Sequence, residues 1–316
     1  MESSLSLVQM RAFLNKSISS INRNKLNGLL AEIDFRHYLI NNGFDGRVSP
    51  GGWIARCVGQ NYFGHNTVVF FPELTETNKS YSHDRALPDP PHGLHTICAT
   101  FHQIGIISYY CAPEISFDGG EFNTRWQAVQ LGLPVRETYK PFPSLIQGFP
   151  KRDRRYNFLK YHTDVSAIPE EAVPEEFSKE NIRISFQNEY MAEMSDVDGI
   201  IWGKQYTYPV EIKEKTAAID NRVGEYFGID VGPFVKLAYY AAKRGNLHSL
   251  FVVREIADIN SRQLVNWWAI KFDQMAQYAS WIPRAGGKSM IGGGSSVVKI
   301  PKCEFSALNQ DFLGTL

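Results

Sequence analysis

The stretch DVDGIIWGKQYTYPVEIK, residues 196–213, decides the predicted fold, because it combines two apolar runs with charged residues at alternate positions. GIIW and TYPV have the apolar and aromatic character of β-strands. Residues 203–206, GKQY, separate them and supply a short turn. We therefore predict a hairpin whose strands cover residues 196–202 and 207–213.

The turn also predicts the register of this hairpin. If Lys204 faces Gln205, paired residue numbers add up to the same total along both strands, and Asp198 lies opposite Glu211. Directly opposed side chains have Cβ atoms roughly 4.5–5.5 Å apart. Two carboxylates at that separation repel each other and weaken the hairpin. A bound cation offsets this cost, so the register indicates a metal site.

Side chains alternate between the two faces of a strand, so Glu211 and Lys213 share a face while Val210 and Ile212 point into the core. The same register places Asp196 opposite Lys213. A Glu-x-Lys tripeptide alone is common and indicates only an ion pair on a solvent-facing strand edge. The carboxylate 13 positions upstream, on an apolar facing strand, favours a site for Mg²⁺, which takes oxygen ligands.

The rest of the chain predicts a mixed-sheet α/β core with a large β-rich inserted region or second domain. A helix is predicted near 233–243, and strands at 248–256, 264–272 and 296–301. Residues 5–42 have helical spacing, 47–135 contain short β-rich runs that include LHTICATF, and 136–180 have the composition of a loop-rich connector. Residues 181–194 fit a strand or a helix. We predict three segments: a helical one (1–46), a β-rich inserted region or second domain (47–180) and an α/β core (181–316).

Asp198 followed by Glu211-Ile212-Lys213, a helix and a strand resembles the PD-(D/E)xK nuclease superfamily, and within it the type II restriction endonucleases, over roughly residues 185–260. The one departure is Val197, where the pattern has proline. The resemblance implies Mg²⁺-dependent hydrolysis of DNA, with Asp198 and Glu211 as metal ligands and Lys213 as the base that positions water. It also implies that 181–316 is the catalytic nuclease core, that 1–46 belongs to this core, and that 47–180 is an insertion or a DNA-recognition region.

Many members of that superfamily add a glutamate from a helix to this set. Glu32 is the first candidate here, since Gly28 and Glu32 followed by Leu39 and Gly43-Phe44 look like the first helix of the family's core. Glu189 is the second candidate. A solvent-exposed helical glutamate explains either residue equally well.

The charge balance restricts where DNA could bind. The chain has 33 Lys+Arg and 33 Asp+Glu, so a surface for polyanions must be a local patch. One segment, KRDRRYNFLKYH at 151–162, alternates basic with aromatic residues, which suits contacts to phosphates and bases. A solvated loop is the alternative. The candidate DNA-binding residues in it are Lys151, Arg152, Arg154, Arg155 and Lys160.

Two further motifs suggest other chemistry only weakly. The side chains of His92, His95, Cys98 and His102 are of types that bind zinc, but their spacing fits no compact finger, and histidines without a metal are favoured. The glycine-rich tail at 286–301 lacks the sequence of a phosphate-binding loop. Lys288 and Ser295 within it could still contact a DNA backbone.

Together these features predict a type II site-specific deoxyribonuclease that uses Mg²⁺ and no ATP and acts on double-stranded DNA. Cleavage of both strands requires two active sites, so we expect a homodimer. No long apolar run and no paired cysteines are present, so we expect a cytoplasmic protein without a membrane segment. The alternatives are a structure-specific, repair or mobile-element nuclease, and an inactive DNA-binding protein on a nuclease core.

Overall fold

The computed structural model describes residues 4–17, 23–58, 65–118, 121–133, 137–142, 146, 148–153, 165–242, 246–278 and 297–316. The fold is mixed α/β, which confirms the predicted class. The chain forms two compact units, one from residues 1–33 and 50–197 and the other from 34–49 and 198–316. The predicted functional division at residues 46 and 180 stays a prediction.

The first unit is built on a six-stranded sheet with strand order β5-β4-β3-β2-β1-β6, in which only β2 and β3 run parallel. The elements in chain order are α1 (Leu7–Ser17), α2 (Arg23–Leu39, which continues into the second unit), β1 (Gly52–Val58), β2 (His65–Pro72), α3 (His92–Gln103), β3 (Ile107–Asp118), β4 (Glu121–Leu131), β5 (Lys140–Pro141), α4 (Val173–Glu189) and β6 (Glu193–Val197).

Helix α4 packs across this sheet through aromatic contacts. Phe186 stacks on Phe70 of β2 with ring centroids 5.3 Å apart, and both side chains are buried. The indole of Trp53 donates a 2.9 Å hydrogen bond to the backbone carbonyl of Lys179. Burial of such aromatic side chains is the main stabilisation of the first unit.

The predicted strand LHTICATF is wrong, because these residues lie in helix α3. The buried residues are Leu94, Ile97, Cys98 and Phe101, a spacing of three, four and seven that belongs to one face of a helix. Gly105 ends the helix with φ of +79°, a conformation that glycine adopts without strain. The β-branched residues of the segment suggested a strand, but the apolar spacing overrode that local preference.

The predicted loop-rich connector at 136–180 is also wrong at its end, since α4 begins at Val173. Pro174 lies in the first turn of α4. Proline has no backbone N–H, and in the first turn this group would have no partner within the helix anyway. The ambiguous segment 181–194 is divided: α4 continues to Glu189, and β6 begins at Glu193.

The second unit contains a five-stranded sheet of order β14-β12-β11-β8-β7 and a three-stranded sheet of order β13-β10-β9. Its elements are β7 (Gly199–Trp202), β8 (Thr207–Lys215), β9 (Ala218–Asp220), β10 (Gly224–Asp230), α5 (Val231–Ala241), β11 (Leu250–Ile256), β12 (Leu264–Lys271), α6 (Phe272–Gln277), β13 (Val297–Pro301), β14 (Ser306–Ala307) and α7 (Gln310–Gly314). The strands and the helix predicted after the hairpin are confirmed.

The core of this second unit lies between α5 and the two sheets. Phe234 and Leu237 of α5 join Phe227 of β10 and Phe251 of β11 in one buried cluster. Strand β8 runs parallel to β11 and antiparallel to β7, so it is an interior strand of the five-stranded sheet. Strand β7 pairs with residues 207–210 of β8, whereas β11 pairs with residues 210–215, so the two ladders overlap at Val210.

The first strand of the predicted hairpin is not continuous. Val197 pairs with Gly52 in the six-stranded sheet, whereas Gly199 pairs with Val210 in the five-stranded sheet. Asp198 lies at the break, where the chain passes from one sheet to the other. The prediction that 196–202 forms one strand is therefore corrected to two strands, β6 and β7.

None of the helices in the described parts of the chain has both the length and the apolar character needed to cross a membrane.

Candidate active site

The hairpin of β7 and β8 has the predicted register. Gly199 pairs with Val210 and Ile200 with Pro209, and continuation of this register by one residue places Asp198 opposite Glu211. The ladder ends at Gly199, so Asp198 lies one residue beyond the last pair, on the side of Glu211.

Both acids are buried. Asp198 and Glu211 each have 2% of their surface exposed. The backbone amide of Ile212 donates a 2.7 Å hydrogen bond to Oδ2 of Asp198, which fixes this carboxylate against β8. A solvent-facing strand edge with an ordinary ion pair does not describe this arrangement, because Glu211 is buried within the second unit.

Glu211 has a lysine at each of its carboxylate oxygens. Nζ of Lys213 lies 2.6 Å from Oε1, which confirms that these two residues share a face of β8. Nζ of Lys236 lies 2.6 Å from Oε2, as an ion pair rather than as a hydrogen bond of regular angle. Burial of a carboxylate costs several kcal/mol unless charge and hydrogen bonds compensate it, and these ammonium groups provide that compensation.

Sequence reasoning missed Lys236. The feature that could have indicated Lys236 is the composition of its helix. It is the only charged residue in α5, whose sequence is VGPFVKLAYYA. A single lysine among apolar helical residues, in the third element after the Glu-x-Lys strand, has to find a partner where the helix packs.

The charged face of β8 continues to Lys215, which the sequence left ambiguous. This lysine is partly buried, and burial lowers its pKa, as does the charge of Lys213, while the carboxylate of Asp230 opposes the change. Asp230 is the residue directly before α5. Glu211, Lys213 and Lys215 therefore form a row of charges beside the start of that helix.

Glu214, the other ambiguous residue, belongs to the opposite face of β8 and has a structural role. Its carboxylate accepts hydrogen bonds from Arg262 at 2.7 and 2.8 Å and from Arg254 at 2.9 Å. Because both arginines already bind this carboxylate, Glu214 holds β8, β11 and the loop after β11 together.

Asp196 does not lie opposite Lys213, which corrects the prediction. It pairs with Trp53 in the six-stranded sheet, because the chain has not yet entered the hairpin at that point. Its carboxylate is exposed and lies in the first unit within 4.8 Å of a carboxylate oxygen of Glu32.

Glu32, the first candidate for the additional acid, is buried in the first unit. Its Oε2 lies 3.2 Å from Nζ of Lys179. Burial acts to lower the pKa of Lys179, but Glu32 and neighbouring carboxylates outweigh it, and the net pKa is raised. A catalytic contribution of Glu32 stays a prediction, and so does that of Glu189, which is exposed at the end of α4.

The predicted DNA-binding segment is described only at its start. Lys151 is exposed, whereas Arg152 donates a 2.7 Å hydrogen bond to the carbonyl of Gln187 near the end of α4. Arg152 thus stabilises a helix terminus in this structure. Arg154, Arg155 and Lys160 lie outside the described residues, as do Lys288 and Ser295 of the glycine-rich tail.

The residues weighed for zinc lie on α3. Cys98 is buried, and burial raises the pKa of its thiol to about 12, although a hydrogen bond with Ser108 acts in the other direction. Burial also lowers the pKa of His95.

Comparisons with protein-family models, with curated proteins and with solved structures give no match for this chain. The chemistry of the site therefore has to be argued from its own geometry. Asp198 and Glu211 offer carboxylate oxygens, the donors that Mg²⁺ takes, and each carboxylate is already oriented by a neighbouring group. This donor set fits a hard divalent cation.

Proposed function

We propose that this chain is a metal-dependent phosphodiesterase that cleaves double-stranded DNA. One observation carries the proposal: Asp198 is fixed on β8 by the amide next to Glu211, both acids are buried, and Lys213 lies 2.6 Å from Glu211. More particularly, we propose a Mg²⁺-dependent type II restriction endonuclease of the PD-(D/E)xK kind.

The energetics of the pair support a functional rather than a structural role. Two facing carboxylates repel, and burial of each one is costly. Two acids that are buried next to each other despite this cost suggest a functional site, and here we infer that they bind a divalent cation that contacts a phosphate.

Asp198 and Glu211 would hold the Mg²⁺, and the bound ion would supply Lewis acidity toward the scissile phosphate. Lys213 is the group that acts on water and phosphate. Its ammonium group, held by Oε1 of Glu211, is placed to orient a water molecule and to stabilise negative charge that develops on the phosphoryl oxygens. The Ile212 amide keeps Asp198 in place during this chemistry.

The remaining features of the proposal follow from the reaction. Cleavage of both strands of a duplex requires two such sites, so we propose that the enzyme acts as a homodimer. Hydrolysis assisted by a metal needs no nucleotide, and we propose that it uses no ATP. A cytoplasmic location, where DNA and Mg²⁺ are both present, completes the proposal.

The test is incubation of the full-length protein with supercoiled plasmid DNA in Mg²⁺ or in chelator, together with Asp198→Ala and Lys213→Ala. Discrete bands that need Mg²⁺ and disappear in both variants are expected. The matched control is Lys204→Ala, which removes a lysine from the turn of the same hairpin. The ammonium group of Lys204 donates a hydrogen bond to the backbone carbonyl of Gly314, away from the two acids. A smear of products would argue for a non-specific nuclease, and DNA binding without cleavage in any divalent metal would contradict the proposal.

A further inference from the structure

Glu211 is bound from two different elements. Lys213 reaches it along β8, while Lys236 reaches it from α5, and both contacts measure 2.6 Å. The two lysines differ in environment, since 34% of the Lys213 side chain is exposed but only 16% of the Lys236 side chain. Lys236 is thus the more enclosed of the two partners of the Glu211 carboxylate.

The backbone that carries Lys236 is firmly held. Its neighbours Phe234 and Leu237 are buried in the core of the second unit. The hydroxyl of Ser249 donates a 2.8 Å hydrogen bond to the carbonyl of Leu237. These contacts fix the backbone of α5 on both sides of the residue whose ammonium group reaches Glu211.

We propose that Lys236 is a built-in counter-ion of Glu211 that competes with a divalent cation for this carboxylate and so sets how tightly the cation binds. The inference rests on the proposed function, in which Glu211 is a metal ligand. Two positive groups repel at short range in a buried site, and the repulsion is stronger there than in water. Cation binding therefore has to act against the charge of Lys236.

Lys236 is a positioning residue in this account, whereas Lys213 acts on the substrate. Without a divalent cation, Lys236 keeps the buried carboxylate neutralised and the second unit stable. With the cation present, the same charge limits its affinity.

The experiment follows thermal unfolding of the full-length protein as Mg²⁺ is added, for wild type, Lys236→Met and Lys236→Arg. Without Mg²⁺, Lys236→Met should unfold at a lower temperature than wild type. Mg²⁺ should raise its midpoint by more than it raises that of wild type, with half-saturation at a concentration lower by roughly tenfold or more. Lys236→Arg keeps the charge and should respond as wild type does.

A merely structural lysine would give a different result. Its loss would lower the midpoint equally with and without Mg²⁺, and half-saturation would stay the same or rise, which would overturn the inference. If Lys236→Met does not fold, Lys236→Gln, which keeps a polar amide but no charge, serves in the same titration and carries the same expectation.

Glu211→Gln separates this inference from the proposed function. If this variant keeps the full Mg²⁺ response, Glu211 is not a ligand and the proposed metal site fails. If Glu211→Gln loses the response while removal of the Lys236 charge leaves half-saturation unchanged, the metal site stands and the counter-ion inference alone fails.

Discussion

Oδ2 of Asp198 accepts a 2.7 Å hydrogen bond from the backbone amide of Ile212, the residue between Glu211 and Lys213. This bond connects the point where the chain enters the second unit to the strand that carries the other site residues. The carboxylate of Asp198 therefore acts in two separable ways. It accepts a hydrogen bond from β8, and its negative charge can attract a cation.

The acceptor and the charge can be separated by two substitutions. Asp198→Asn keeps a carbonyl oxygen for the Ile212 amide, so we expect its free energy of unfolding to equal or exceed that of wild type. Asp198→Ala leaves this amide buried without its acceptor and should cost about 1–3 kcal/mol. Urea unfolding measures both, and an equal loss in the two variants would show that the hydrogen bond is not what holds Asp198.

Removal of the ammonium group of Lys213 should lower the rate of DNA cleavage more than it changes the binding of Mg²⁺. We expect Lys213→Met to lower the rate of DNA cleavage by a factor on the order of 10²–10⁴, as for the loss of a group that acts on proton transfer. The stabilisation of the fold by Mg²⁺ should remain, because Asp198 and Glu211 are intact. Cleavage at the wild-type rate would remove Lys213 from the proposed chemistry.

Glu214 offers a contrast with its neighbours on β8. Its buried carboxylate binds Arg254 and Arg262, and loss of this partner leaves two guanidinium groups in a largely enclosed place. Glu214→Ala should reduce the free energy of unfolding by about 3 kcal/mol. The control is Glu225→Ala, because Glu225 is an exposed acid 3.6 Å from Nζ of Lys302. Its removal should change the free energy of unfolding by no more than about 0.5 kcal/mol. Equal effects in the two variants would show that the Glu214 network contributes nothing.

None of the four cysteines forms a disulfide, and their environments predict their reactivity. Cys57, Cys98 and Cys111 are buried, and burial raises the pKa of Cys111 well above its usual value. Cys303 is exposed. A thiol reagent should therefore modify about one cysteine per native chain and four after unfolding in denaturant. Rapid reaction of more than one thiol in the native protein would disagree with the packing of the first unit.

The hairpin register was predictable because it depends on local rules. A short turn fixes which residues face each other, and strand alternation then fixes the side on which each side chain lies. These two rules are enough to bring Asp198 opposite Glu211 and to put Lys213 beside Glu211. The strands and the helix that follow have strong apolar patterns, which is why they too were predictable.

Asp196 and Lys236 show where this reasoning ends. The strand of Asp196 belongs to another sheet, and local rules do not predict this, because its pairing with β1 joins residues about 140 positions apart in the sequence. Lys236 meets Glu211 only because α5 packs against the second unit's core. In α3, apolar helical spacing was present in the sequence, but β-branched residues obscured it.

The most direct test of the account is the rate at which full-length wild-type and Asp198→Asn proteins cleave supercoiled plasmid DNA at saturating Mg²⁺, with both proteins shown to be equally folded. The account predicts nicked and linear products from wild type, and a rate for Asp198→Asn lower by a factor on the order of 10³, because the variant keeps the hydrogen bond but lacks the charge. Equal rates for the two proteins would contradict the assignment of Asp198 and Glu211 as the centre of a DNA-cleaving site.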